Sequence, residues 1–188
     1  MANGDTDINI CSRALIAIGA NEITSFEEGT VEAKVAKAKF EIAKRDLLSI
    51  YPWTFSITET FLARIASDDL AIYKYIYELP DDFLRALTLR GDYQNIPYTL
   101  RSGKINTDDE KPILVYTADC SIQSMPAYFV SLLIDRLARD FLIPITAKND
   151  DYPMFDRIYQ QNLTIAKNAD AQSKTPRVVN TDLLLRVR

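Results

Sequence analysis

Between Ile50 and Ile57 the chain changes its periodicity. Up to Ile50 the apolar residues recur at helical spacing, and from Trp53 onward they alternate. A switch from period 3.6 to period 2 marks a helix handing over to a sheet. The hinge, Tyr51-Pro52-Trp53-Thr54-Phe55, holds the only tryptophan of the protein. Pro52 enforces the break, because the residue before a proline is pushed out of the α region. This hinge orders the whole chain as helices, then strands, then helices again.

Before the hinge, Asp5 or Thr6 can cap a first helix whose apolar side carries Ile8, Leu15 and Ile18, with Gly19 ending it. Asn21 to Gly29 reads as a loop. Thr30 is the expected N-cap of a long second helix. On that helix Val31, Val35, Ala38 and Ile42 make one apolar stripe, and Ala36, Phe40, Ala43, Leu47 and Ile50 make another. Two stripes predict burial on more than one side, more than a surface helix needs.

After the hinge, Phe55, Ile57, Glu59 and Phe61 alternate with Thr54, Ser56, Thr58 and Thr60, which predicts a strand with one wet face. Ala71 to Glu78 reads as a second strand, with Tyr73, Tyr75 and Tyr77 on one side. Leu79-Pro80-Asp81-Asp82 is a turn. Phe83 to Arg90 is extended or mixed. Tyr98 to Asn106 reads as a short hairpin about Ser102-Gly103, and Ile113 to Ala118 as the last strand. Pro126 suits the first position of a third helix with the stripe Val130, Ile134, Leu137, Phe141, and Pro144 falls just beyond its expected end. A fourth helix starts near Pro153 with the face Phe155, Tyr159, Leu163, Ala166.

The resulting fold class is α+β: a four-helix body with an antiparallel β-sheet or small barrel inserted between helices 2 and 3. Residues 1–52 and 125–173 form the helical part, 53–124 the inserted β part, and 174–188 an extended C-terminal tail. The chain has 188 residues, 47% of them hydrophobic, enough for one compact domain or a small two-layer domain with an appendage. No apolar run approaches the ~18 residues of a membrane span, and the start of the chain lacks the regions of a secretory signal.

The residue inventory narrows the chemistry. There is no histidine, which excludes His-based triads, His-ligated zinc and imidazole acid–base work. The two cysteines, Cys11 and Cys120, fit no metal or redox spacing and read as free, buried thiols in a reducing compartment. The glycines that could serve a phosphate loop are isolated, and no serine sits in a nucleophile elbow. Acidic pairs recur at Asp68-Asp69, Asp81-Asp82, Asp108-Asp109 and Asp150-Asp151. All lie in expected loops, where Asp serves caps and turns. Metal and catalytic sites are therefore not expected.

Two groups of residues point to partners. Tyr73, Tyr75, Tyr77 and Tyr93 could stack bases on a sheet, but little basic character interleaves with them. Aromatic cross-strand packing or a subunit contact is the preferred reading. The net charge is −4, yet from Gln172 to Arg188 it is +3, leaving −7 for the remainder. In that tail Val178, Val179, Leu183, Leu184, Leu185 and Val187 interleave with Arg186 and Arg188. Such a segment is too apolar for an ordinary loose terminus and suggests folding onto a partner, the other reading being that Leu183 to Val187 returns to the chain's own core as an edge strand.

The order of parts resembles the head-to-tail adaptors of short-tailed bacteriophages, the tail tubular protein A family. Three places carry the likeness. The first is Ala14-Leu15-Ile16-Ala17-Ile18-Gly19-Ala20 followed by Ile23-Thr24-Ser25-Phe26 and a long Ala-rich helix. The second is Pro52-Trp53-Thr54-Phe55, where the family enters its sheet through an aromatic Trp-x-Phe. The third is Tyr77-Glu78-Leu79-Pro80-Asp81-Asp82-Phe83, a sheet ending near Tyr116, and then Met125-Pro126-Ala127-Tyr128-Phe129 opening the third helix. The similarity runs from about Ile8 to Ala171, and the tail departs from it most.

The resemblance implies a structural protein with no catalytic site and no cofactor. Copies would form a homo-oligomer, typically a dodecameric ring, between the phage portal protein and the tail nozzle. The channel would pass DNA without specific binding. The expected location is the virion neck, after assembly in the host cytoplasm. In such adaptors C-terminal segments commonly dock on the portal, which assigns Val178, Val179 and Leu183 to Arg188 that task. Pro52, Trp53 and Phe55 become the seam between helical body and sheet. The alternative is a nucleic-acid-binding protein using the tyrosine-rich sheet and the basic tail.

Overall fold

A computed structural model describes residues 5–66, 73–91 and 94–173. Helix α1 spans Asp7–Ala17 and α2 spans Val31–Ile50. Their starts are set by local chemistry. The Thr6 side chain accepts from the Asn9 N–H at 3.2 Å, and the Thr30 side chain accepts from the Ala33 N–H at 3.3 Å. Each bond satisfies one of the N–H groups that a helix start leaves open. Gly19, at φ +76°, follows the end of α1 in the left-handed region that favours glycine.

Seven strands follow: β1 Ile57–Phe61, β2 Arg64–Ala66, β3 Tyr75–Glu78, β4 Phe83–Arg90, β5 Thr99–Arg101, β6 Lys104–Thr107 and β7 Ile113–Ala118. They form two antiparallel sheets, in the orders β1-β7-β4 and β2-β3-β6-β5. The chain then returns to helix with α3, Ala127–Thr146, and α4, Tyr152–Gln172. The expected α+β order, four helices with antiparallel sheet between the second and third, is the order of the fold. Arg101 pairs with Lys104 across Ser102 and Gly103, at φ +51° and +71°. Two positive φ values make the mirror-image turn whose twist matches a two-residue hairpin.

Several expectations are corrected. The strand expected from Thr54 begins at Ile57, because Thr54–Ser56 is one turn of 3-10 helix. The Ser56 N–H and Oγ both donate to the Trp53 carbonyl at 3.0 Å, which closes that turn. β2 escapes sequence reading, since three residues show no period and their partner β3 supplies the pairing. β4 carries two register shifts against β7, so eight residues face six. These bulges explain why Phe83 to Arg90 does not alternate cleanly. Pro126 is the cap residue before α3 and not its first helical residue; Phe129 and Val130 donate to its carbonyl. Pro144 lies inside α3, which runs on to Thr146. A proline in the last turn removes only its own N–H bond. The Ala147 N–H still closes on the Ile143 carbonyl at 3.1 Å.

Two hydrophobic clusters organise the molecule. The larger joins α1, α2, α3 and α4 with Trp53, Ile122 and Met125. The smaller lies between the sheets and is built from Tyr77, Leu89, Ile105, Leu114, Tyr116 and Ala118. Helix α3 packs against each of the other three helices. Its expected stripe, Val130, Ile134, Leu137 and Phe141, is buried. The C-terminal half of α2 supports the three-stranded sheet. Lys44 and Arg45 reach Asp119, just past β7, at 3.3 and 3.5 Å, and Arg85 of β4 donates to the Ser49 carbonyl at 3.3 Å.

Only one of the two stripes of α2 is buried. Ala33, Ala36, Phe40, Ala43 and Leu47 lie in the core, whereas Val31 and Ile42 on the other side are 58% and 60% exposed. Ala38 is exposed and Val35 half-buried; Ile50, grouped with the buried stripe, is exposed at the helix end.

Candidate interaction surfaces

The seam is built around Trp53, which is fully buried. Its indole Nε1–H donates to the Leu47 carbonyl at 2.7 Å. That carbonyl is in the last turn of α2. The indole therefore caps the helix from beyond Pro52. Its ring meets Tyr51 at 4.9 Å and Phe129 of α3 at 5.1 Å, both edge-on. Phe55 meets Phe129 at 4.9 Å and is partly buried against the same cluster. Pro52 is half-buried. The expected seam residues thus hold the helical core and the entry to β1 together.

Asp170, near the end of α4, completes the seam and went unnoticed in the sequence. It is fully buried. Its carboxylate accepts from the Thr54 N–H at 2.9 and 3.1 Å, from Thr54 Oγ1 at 2.9 Å and from the Tyr128 hydroxyl at 2.8 Å. One side chain thereby ties α4, the 3-10 turn and the start of α3. Burial pushes the Tyr128 hydroxyl up, reinforced by its hydrogen bond to Asp170. The available signal was position: Asp170 continues the buried α4 face of Leu163 and Ala166 at helical spacing.

The tyrosines separate. Tyr77 is 1% exposed, and its hydroxyl donates to the Asp109 and Glu110 carbonyls at 2.8 and 3.0 Å. It belongs to the β core, the packing alternative of the two expected, and its buried ring offers little surface for a subunit or tail contact. Tyr73 and Tyr75 are half-buried, and the Arg64 guanidinium sits 4.3 Å from the Tyr75 ring centre. Asp68, Asp69, Tyr93 and the tail expected to dock, Val178 to Arg188, lie outside the described residues.

Two members of the described acidic pairs accept hydrogen bonds within the β part of the chain. Asp82 accepts from the Tyr116 hydroxyl at 2.9 Å, and Asp108 accepts from the Lys74 N–H at 2.9 Å. Among the described residues no three His, Cys, Asp or Glu side chains gather as a metal would need. Cys11 is buried, and burial pushes its thiol up to about 12. Cys120 is half-buried and pushed up by the same cause, so neither thiol has the lowered pKa of a reactive cysteine. Shallow concavities lie among the described residues. One, of about 280 Å³, runs from Thr60 to Ala63 and Glu78 to Asp81; another, of about 400 Å³, is bordered by Thr6, Ile8, Phe26 and Gln123.

The buried tyrosines make the fold sensitive to alkali. Burial, with the hydrogen bond to Asp82, pushes Tyr116 up to about 12. An unfolded chain loses the same proton near the ordinary value of about 10. Between those values the unfolded state holds fewer protons, so stability falls as pH rises. Urea midpoints should therefore drop steadily above about pH 10, and Tyr116→Phe should flatten part of that slope while lowering stability at neutral pH. An unaltered slope in Tyr116→Phe would remove this residue from the account.

Outside the seam, α3 and α4 are joined by charge. Arg139 reaches Asp156 and Asp140 at 3.0 Å, and Arg136 reaches Asp140 at 2.8 Å and Asp46 at 3.3 Å. Asn162 donates to Asp135 at 2.7 Å. The outer side of α4 is left apolar, with Met154 54%, Ile158 37% and Ile165 62% exposed. No family model and no curated protein matches this chain.

Proposed function

We propose that this chain is a structural adaptor of a bacteriophage neck. Copies assemble as a ring between the portal protein and the tail nozzle, and the ring extends the channel through which DNA passes. The observation that carries this reading is α2, apolar on two sides but buried on only one. A lone chain leaves Val31 and Ile42 in water, as a subunit made to be covered would. The ordered likeness at Pro52-Trp53-Thr54-Phe55, Tyr77 to Phe83 and Met125 to Phe129 supports the same reading. So does the helix–strand–helix order of the fold. An acidic body suits a channel that must release DNA, because carboxylates repel phosphate. The nucleic-acid-binding alternative loses Tyr77 from its stacking platform, since that ring is buried.

The tail carries the test. Deleting Thr175 to Arg188 should leave the melting temperature of the domain unchanged and abolish attachment to the portal ring of the same phage, measured by co-sedimentation. Unfolding of the truncated chain would place the tail in the core; unchanged attachment would move portal binding elsewhere. Binding of the full chain to DNA with a steep salt dependence would favour the alternative.

A further inference from the structure

We infer that strands β1 to β7 swing as one body on the helices, about a hinge where the chain crosses between them, with Asp119 as the latch that sets the angle. Such a hinge goes beyond the adaptor reading and does not depend on it. The chain passes from helices to strands at Ser56 and Ile57 and returns between Asp119 and Ser121. Ile57 pairs with Thr117, so the two crossings lie side by side on neighbouring strands. Adjacent crossings leave one axis free, and hinges are made of a few such element-terminal residues.

Packing divides at the same place. Up to Phe55 the chain is held by the helical cluster and by the Asp170 clasp on Thr54, and from Ile122 it is buried in that cluster again. Of the hydrophobic strand residues, Leu84 alone packs on the helical cluster among the described residues; the others that are buried belong to the smaller cluster. Helix α2 meets β4 and β7 through polar groups instead. Lys44 approaches one Asp119 oxygen at 3.3 Å and Arg45 the other at 3.5 Å, while Arg85 donates to the Ser49 carbonyl at 3.3 Å. Arg45 and Arg85 are exposed, and charged contacts open to water hold weakly and yield to salt. Thr117, beside the crossing, is fully buried, yet its hydroxyl has no hydrogen-bond partner among the described residues. A face built for one fixed arrangement would normally satisfy that group. A junction within a chain that is not large and apolar leaves its two sides free to move.

Asp119 fastens both sides. Its N–H donates to the Asp82 carbonyl at 2.7 Å, on the strand side, and its carboxylate reaches α2. A partner seated on the strands can then favour an angle other than the one this latch holds.

The test reads residual dipolar couplings of backbone amides in the full chain, aligned in a stretched neutral gel. In Asp119→Asn the helices should fit one alignment tensor and the strands another, with the strand tensor reduced in magnitude. Lys44→Gln with Arg45→Gln should produce the same reduction from the other half of the latch. Salt at about 1 M should move the natural chain in that direction, since screening then acts within about 3 Å. A single tensor that fits helices and strands in both variants overturns the hinge. Strand couplings that fit no one tensor, with faster amide exchange in β7, also overturn it, because the strands then loosen and do not swing. A strand tensor as reduced in the natural chain at low salt as in Asp119→Asn overturns the latch.

Discussion

Trp53→Ala should lower the free energy of unfolding by about 3–5 kcal/mol, the usual cost of emptying a large aromatic site in a core. The site gives no easy way to collapse. The indole is fully buried and packed edge-on to Tyr51 and Phe129, with Phe55 and Tyr128 ring centres at 6.3 and 6.4 Å. Removal also strips the Leu47 carbonyl of the indole N–H that caps α2. Trp53→Phe separates the two effects. It keeps most of the apolar contact and loses the hydrogen bond, so its cost should be only the about 0.5–1.5 kcal/mol of one hydrogen bond. Urea unfolding followed by far-UV circular dichroism measures both. A Trp53→Ala cost under about 1 kcal/mol would mean that the core closes over the gap. Assembly should fail in proportion to folding, because Trp53 presents no surface to a partner.

Asp170→Asn should cost at least about 2 kcal/mol, because each buried donor left without an acceptor costs about 1–3 kcal/mol. Three donors converge on this carboxylate: the Thr54 N–H, Thr54 Oγ1 and the Tyr128 hydroxyl. An amide keeps the shape but turns one acceptor into a donor that faces them. A double-mutant cycle with Tyr128→Phe checks the geometry. Side chains sharing one hydrogen-bond network should couple by about 0.5–3 kcal/mol. Strict additivity would show that Tyr128 and Asp170 act independently. Amide exchange should quicken at Thr54 and Ser56, where the turn depends on the clasp, more than in α1.

How much of this was legible depends on range. The caps at Thr6 and Thr30, the break at Pro52 and the turn at Ser102-Gly103 were readable because each is decided within a few residues. The face Phe155, Tyr159, Leu163, Ala166 was readable from period alone. The Asp170 clasp was not, since it joins residues 116 positions apart. The bulges of β4 were hidden because extra residues disturb the alternation by which strands are recognised. Tyr77 was left open between packing and partner contact because side-chain alternation tells which residues share a face, and not which face a second sheet will cover. The docking role proposed for the tail, Val178 to Arg188, rests on sequence alone, since those residues lie outside the described ones.

The sequence by itself determined the helix–strand–helix order, the starts of the first two helices and the place of the seam. The physics there is local: a capping oxygen reaches its N–H within one turn, and a proline acts on its immediate neighbour. Only the tertiary structure decided which stripe of α2 became core. Both stripes have the right period; α1 and α3 pack on one, and the choice lies in contacts between distant segments. The tertiary structure likewise placed Asp170 at the seam and drew Tyr77 inside. A buried polar group is tolerable only where partners converge on it, and that convergence exists only in the folded chain.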